Sequence, residues 1–144
     1  MEHRQHQTAP TEANATPAAA YEAGLRQMRA GQYLDAQLCC QQALALDPGH
    51  ADALHLMGLL CLNAGQYDHA VEWIARALRQ DPKPEYLYSL GTALRSLRRY
   101  DDALKAFDKA VQLKPDRAEL WVAMGRALGE LNRGEPIRAK IVLM

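Results

Sequence analysis

The chain has a single phenylalanine among 144 residues, aromatic side chains make up only 6% of it, and it holds three cysteines. Each scarcity excludes something. Cys39, Cys40 and Cys61 are odd in number, include an adjacent pair that cannot easily bridge, and show no C-x-x-C or Cys/His finger spacing. They therefore read as small buried hydrophobes rather than as a disulfide framework or a metal site. Long apolar runs are missing too: pieces such as Leu59-Leu60-Cys61-Leu62 fall far short of the roughly 18 residues that a membrane span needs. Lys+Arg and Asp+Glu number 17 each, so the chain lacks the excess of cations from which a dedicated nucleic-acid binder draws its affinity. No Gly-rich phosphate loop or nucleophile elbow occurs, and His55 and Glu85 are not at metal-ligand spacing. Nor does an apolar segment of about 7 to 15 residues follow a basic start, as a secretory signal requires. The expectation is a cytoplasmic protein with no catalytic residue, no metal and no cofactor of its own. The Met1-Glu2-His3 start, with His6 near it, has a copper- or nickel-chelating spacing and is read as a coincidence in a flexible leader.

What is present is order along the chain. A length of 144 residues suits one domain. The formal charge of zero is a sum of unequal halves: residues 1–72 carry 3 Lys/Arg against 8 Asp/Glu, and residues 73–144 carry 14 against 9. Residues 1–16 run through His, Gln, Thr, Asn, Pro and Ala with almost nothing large to bury, and are expected to form a disordered leader. Beyond them the chain repeats itself. Gly24, Gly58, Gly91 and Gly125 are spaced 34, 33 and 34 apart. Twelve residues after each of the first three stand Ala36, Ala70 and Ala103, and seven further on Ala43, Ala77 and Ala110. Pro48, Pro82 and Pro115 close the three units, and Tyr33, Tyr67 and Tyr100 each precede the first alanine by three residues.

These phases have a physical reading. Glycine and alanine remove bulk where two helices approach closely, and the spacing Ala70-x-x-x-Ile74-x-x-Ala77-Leu78 marks one buried helical stripe. Each proline biases the residue before it, Asp47, Asp81 or Lys114, away from helical angles and so ends its unit. Pro84 suits the first turn of a helix. Gly31 and Gly65 stand where a tight turn would join the two helices of a unit at positive φ. Arg98 takes that place in the third unit, so its turn is expected to close differently. Each unit reads as helix, turn, helix.

Repeats of this kind resemble the tetratricopeptide repeat, a 34-residue antiparallel helix pair. The second unit supplies Leu54, Met57, Gly58, Cys61, Ala70, Ile74, Ala77 and Pro82 at the eight signature positions, and the third Leu87, Leu90, Gly91, Leu94, Ala103, Phe107, Ala110 and Pro115. The first matches less well at its start, with Ala20, Ala23, Gly24 and Gln27, and the fourth keeps Trp121, Met124, Gly125 and Leu128 and then departs. The resemblance implies an all-α fold, a right-handed superhelical solenoid of antiparallel helix pairs with three full repeats plus a closing helix. Its expected division is a leader at 1–16, repeats at about 17–50, 51–83 and 84–117, a closing helix at 118–131, and a divergent tail at 132–144.

In that family the concave surface is lined by the first helix of each unit. Carried over position by position, the groove would consist of Tyr21, Leu25 and Met28, then His55, Leu59 and Leu62, then Tyr88, Thr92 and Arg95, with Arg126 from the closing helix. Its amino-terminal part is apolar and its other part charged, which suits a peptide with apolar anchors followed by charges. The alternative reading, in which the leucines merely pack under the leader, stays open. The family's carboxylate clamp for chaperone tails is missing, because Tyr21, Leu25, Leu56, Glu85 and Ser89 stand at its phases. The resemblance implies a non-catalytic module that binds a protein or peptide, with no nucleic acid and no membrane as partner. The run His50-Ala51-Asp52-Ala53-Leu54-His55-Leu56-Met57-Gly58 is also similar to the amino-terminal repeats of bacterial O-linked N-acetylglucosamine transferase-like proteins. On that second reading the chain is a recognition arm, or a shortened relative, without the catalytic domain. In the tail, Ile137 and Ile141 fall at second-helix packing phases, but Gly134 replaces the tyrosine and Ile137 the alanine. Ile-Val-Leu-Met at the end suggests a truncation, self-association through the tail, or a fold back over Trp121.

Overall fold

The computed structural model describes residues 15–134. Most of the expected leader, with His3 and His6, and the tail at 135–144, with Ile137 and Ile141, lie outside the described residues. Among the described residues the chain is all-α, in the order α1 Pro17–Arg29, α2 Tyr33–Leu46, α3 Ala51–Asn63, α4 Tyr67–Gln80, α5 Pro84–Ser96, α6 Tyr100–Leu113 and α7 Ala118–Gly134.

Local chemistry accounts for these limits. Thr16 caps α1 by accepting a hydrogen bond from the Ala19 amide on its hydroxyl oxygen at 3.1 Å, and His50 caps α3 by accepting from the Ala53 amide on Nδ1 at 3.1 Å. Pro17 and Pro84 open α1 and α5, where a missing amide hydrogen has no consequence. The second helices end as the prolines dictate. Asp47, Asp81 and Lys114 leave helical angles, with φ of −146°, −158° and −138°, and donate their amides to the carbonyls of Ala43, Ala77 and Ala110.

Within each pair the turn follows one pattern. The Gly31 amide donates to the Met28 carbonyl and the Gln32 amide to the Gln27 carbonyl; Gly65 and Gln66 repeat this on Leu62 and Cys61. Arg98 and Arg99 repeat it again on Arg95 and Leu94, so the third turn closes like the others and not differently. Gly31 and Gly65 sit at φ of 80° and 77°, and Arg98 is driven to 63° to match them. The geometry is set by the need to bring α6 back onto α5, and it overrides the side-chain preference of arginine.

The chain divides at Asp81 and Pro82 into two compact units. In the first, α1 packs on α2 and α3 on α4, while α2 and α1 both meet α3. Its core joins Ala36, Cys40, Leu56, Met57 and Leu60, with Ala20, Ala43 and Ala53 forming a smaller cluster beside them. In the second unit α5 packs on α6, and α7 packs on α6 and touches α5. Tyr86, Phe107 and Leu120 are its largest fully buried side chains. Burying one such ring or leucine contributes about 1.5–3 kcal/mol.

Glycine sets how close the paired helices come. A Cβ on Gly58 would lie 2.5 Å from Cγ1 of Ile74, and one on Gly91 would lie 2.4 Å from Cε1 of Phe107. At Gly24 the nearest atom, Cβ of Cys39, would stand off at 3.2 Å. Gly125 differs, with nothing within 4 Å. Helix α7 also runs to Gly134, three residues past the expected end at 131. No second helix among the described residues draws the chain back at that phase, so propagation continues.

The three cysteines are buried and form no disulfide. Burial, and then the neighbouring Cys39, pushes the Cys40 thiol from 9.0 up to about 12. Burial is the first cause of the upward shifts at Cys39 and Cys61 as well.

Three outcomes follow from this packing. Gly91→Ala and Gly58→Ala should each destabilise by about 1–3 kcal/mol, and Gly24→Ala by less, in circular-dichroism melts; equal losses at all three would contradict the graded contact distances. Arg98→Gly should raise stability by about 0.5 kcal/mol, the left-handed penalty of about 1–2 kcal/mol being partly offset by the greater unfolded-state freedom of glycine. Gly65→Ala should lower stability, and the two shifts having the same sign would refute the assignment. Because the folded-state pKa of Cys40 is raised, the native state holds its proton after the unfolded chain has lost it. Its contribution is therefore complete below pH 9.0 and is lost between there and about 12. The urea midpoint of the parent chain should fall more steeply across that window than that of Cys40→Ala.

Candidate functional site

In the first unit, Tyr21, Leu25 and Met28 stand at i, i+4 and i+7 on α1, and His55, Leu59 and Leu62 repeat the spacing on α3. All six are half-buried. Tyr21, Leu25, Met28 and Leu59 pack against the Leu56, Met57 and Leu60 cluster, so these side chains hold α1 to α3 while part of each stays open to solvent. The Tyr21 ring lies 5.6 Å from the His50 ring at an interplanar angle of 36°. Burial first, and Asp52 second, raise the Tyr21 hydroxyl above its ordinary value, which keeps it a proton donor.

The second unit gathers the other four expected residues in one place. Tyr88, Thr92 and Arg95 of α5 face Glu119, Val122 and Arg126 of α7 across a cavity of about 240 Å³, with Phe107 of α6 at its floor. The Tyr88 and Phe107 rings are 5.9 Å apart and tilted by 49°. The Thr92 hydroxyl donates to the Tyr88 carbonyl at 3.0 Å, which fixes its rotamer one turn along the helix. Arg95 reaches Glu130 at 4.0 Å from Nε to Oε1, while Arg126 is exposed. Beside the cavity Arg117 holds Glu85 at 2.9 Å and Glu119 at 3.7 Å. Hydrogen bonding from its own backbone amide, and then the Arg117 guanidinium, keeps the Glu85 carboxyl below the usual carboxylate range. The arrangement offers an apolar, aromatic floor with two guanidiniums at its rim.

Leu56 and Ser89, at two of the clamp phases, are 1% and 6% exposed and cannot reach a ligand. Among the described residues no group of three or more His, Cys, Asp and Glu side chains is placed to hold a metal ion. Among the same residues no helix is long and apolar enough to cross a membrane.

A second concavity was missed by sequence reasoning. Leu104, Lys105 and Asp108 of α6 and Trp121, Met124 and Leu128 of α7 wall an open groove of about 600 Å³, with Gly125 at its base. The Trp121 indole N–H donates to the Pro115 carbonyl at 2.8 Å, yet the side chain remains 49% exposed. The signal that could have found this groove was a glycine at the packing phase followed by a unit that then departs from the pattern.

Two family models, both described as Tetratricopeptide repeat, match residues 27–94 and 84–117, so that together they span more than half of the 144 residues. The human protein O-mannosyl-transferase TMTC1 is 34% identical over 96 residues, which are 65% of this chain and 11% of that protein. An Hsp70-Hsp90 organising protein of Plasmodium falciparum is 33% identical over 89 residues, 59% of this chain and 35% of that one. Among solved structures, an O-GlcNAc transferase of Thermobaculum terrenum superposes with a TM-score of 0.76 at 29% identity, over 83% of this chain and 23% of that chain. The chain thus spans between a tenth and about a third of these relatives. The glycine and alanine phases, the helix pairs they hold together and the matching models agree: the chain belongs to the tetratricopeptide repeat family.

Proposed function

We propose that the chain is a protein-interaction module that does no chemistry of its own and binds an extended or helical peptide through the first helices of its repeats. The observation that carries this reading is the convergence of Tyr88, Thr92, Arg95 and Arg126 on one open cavity floored by Phe107. A ligand suited to it places an apolar side chain on the Tyr88–Phe107 rings and an acidic one against Arg95 or Arg126. The half-buried Tyr21, Leu25, Met28 and Leu59 of the first unit offer further apolar contacts. The likeness to an Hsp70-Hsp90 organising protein supports a protein partner. A chaperone tail held by the family's carboxylate clamp is not the ligand proposed, because Leu56 and Ser89 are buried where that clamp needs exposed amides and cations.

A second reading is favoured by the O-GlcNAc transferase likeness, of which this chain corresponds to 23%. The chain would then be the recognition arm, or a shortened relative, of a glycosyltransferase whose catalytic domain is elsewhere. The coding region beyond Met144 discriminates the two, since a glycosyltransferase domain in the same or a shifted frame supports the arm.

For the binding site, peptides selected on the chain from a random displayed library should be enriched in an apolar residue near an acidic one. Tyr88→Ala combined with Arg95→Glu should weaken the selected peptide at least tenfold, about 1.4 kcal/mol, in fluorescence anisotropy. Helical circular dichroism should stay unchanged, because Tyr88 is 38% exposed and outside the core. Undiminished affinity in the double variant would move the site elsewhere.

A further inference from the structure

The Tyr88 cavity has a counter-ion of its own beside it. Glu130, four residues past Arg126 on α7, meets Arg95 of α5, with its Oε1 4.0 Å from the guanidinium Nε. That separation lets the charges offset each other but exceeds the about 2.7–3.2 Å of an N–H···O hydrogen bond. The same Oε1 is buried and accepts no hydrogen bond from the described residues. A carboxylate oxygen taken out of water without a donor is costly, so the contact is a loose one. The other acid at the cavity is held differently. Glu119 lies 3.7 Å from Arg117, which also holds Glu85 at 2.9 Å, so its charge is answered by a guanidinium that does not line the cavity.

We propose that Glu130 stands in for a ligand carboxylate at Arg95, and that an acidic ligand side chain binds by displacing it. The inference rests on the reading of the Tyr88 cavity as the peptide site. Two features favour the exchange. An incoming carboxylate can take the Arg95 guanidinium in the bidentate, hydrogen-bonded geometry that Glu130 does not reach. Glu130, once displaced, keeps a cation near it, because residues four apart on a helix are neighbours and the exposed Arg126 is four residues before it. Displacement thus shifts the Glu130 charge along α7 and returns a buried oxygen to water. Glu130 is then a specificity-determining residue. A neutral ligand leaves its contact with Arg95 intact, whereas an acidic ligand breaks that contact before gaining its own, so Glu130 lowers the affinity for acidic ligands alone.

The random displayed library is selected in parallel on the parent chain and on Glu130→Gln. An acidic peptide enriched on both is labelled with fluorescein, as is its twin in which the acid is replaced by its amide. In anisotropy titrations the acidic peptide should bind Glu130→Gln about threefold more tightly than the parent, the scale of one partly exposed ion pair, and the amide twin should bind both equally. Glu130→Asp, which keeps the charge but draws the carboxylate back from Arg95, should gain in the same direction. In an Arg95→Met background the gain from Glu130→Gln should vanish. Helical circular dichroism near that of the parent shows that each variant is folded. An acidic peptide that binds Glu130→Gln no better than the parent overturns the inference and leaves the site in place. So does a gain that the amide twin shares or that survives Arg95→Met, because the charge would then act at a distance and not through Arg95. Peptides that bind Tyr88→Ala/Arg95→Glu undiminished, or a library that yields no binder on either chain, overturn instead the reading of the cavity as the peptide site, and the inference with it.

Discussion

The distance between paired helices is the constraint on which the rest of this structure depends. At Gly58 and Gly91 there is no room for even a methyl group, because Ile74 and Phe107 already occupy the space. That closeness goes with the full burial of Ala70, Ala77, Ala103 and Ala110, and it lets a few large side chains fill each interface. A chain with a single phenylalanine can build a core in this way because its small residues are placed where they shorten distances. The turns are subordinate to the same requirement, as the shared hydrogen-bond pattern at Gly31, Gly65 and Arg98 shows.

The candidate site is a by-product of that packing. Side chains at i, i+4 and i+7 on a first helix stand beside the glycine phase rather than on it, so the phases that pack most closely and the phases that line a surface are largely distinct. Tyr88 and Phe107 show the two roles in contact: one ring fills the space above Gly91, and the other lies on it and opens to solvent. In the first unit the separation is less complete. Tyr21, Leu25 and Met28 are both wall and core, because α1 and α3 meet through them.

The repeat was legible from glycine, alanine, tyrosine and proline because those residues act through size and backbone angle, which recur at fixed phase. That Tyr88, Thr92, Arg95 and Arg126 line one cavity follows for the same reason, since they take their positions from the repeat. What escaped depends on residues that do not recur. The pairing of Glu85 with Arg117, 32 residues apart, arises only when α5 and α7 lie side by side. Tyr86, 1% exposed under Lys83, stands at the phase that Ala53 and Leu120 fill in other units, and neither is aromatic, so nothing recurrent pointed to a ring there. Arg98 misled because its side chain argued for one turn while the packing of α5 on α6 imposed another.

That arginine has a further consequence for how the third repeat behaves. Held at a φ of 63°, it makes its turn the one non-glycine member of a set whose other members rest without strain. Strain of this kind is released on opening, so the α5–α6 connection separates at lower free energy than the two glycine turns.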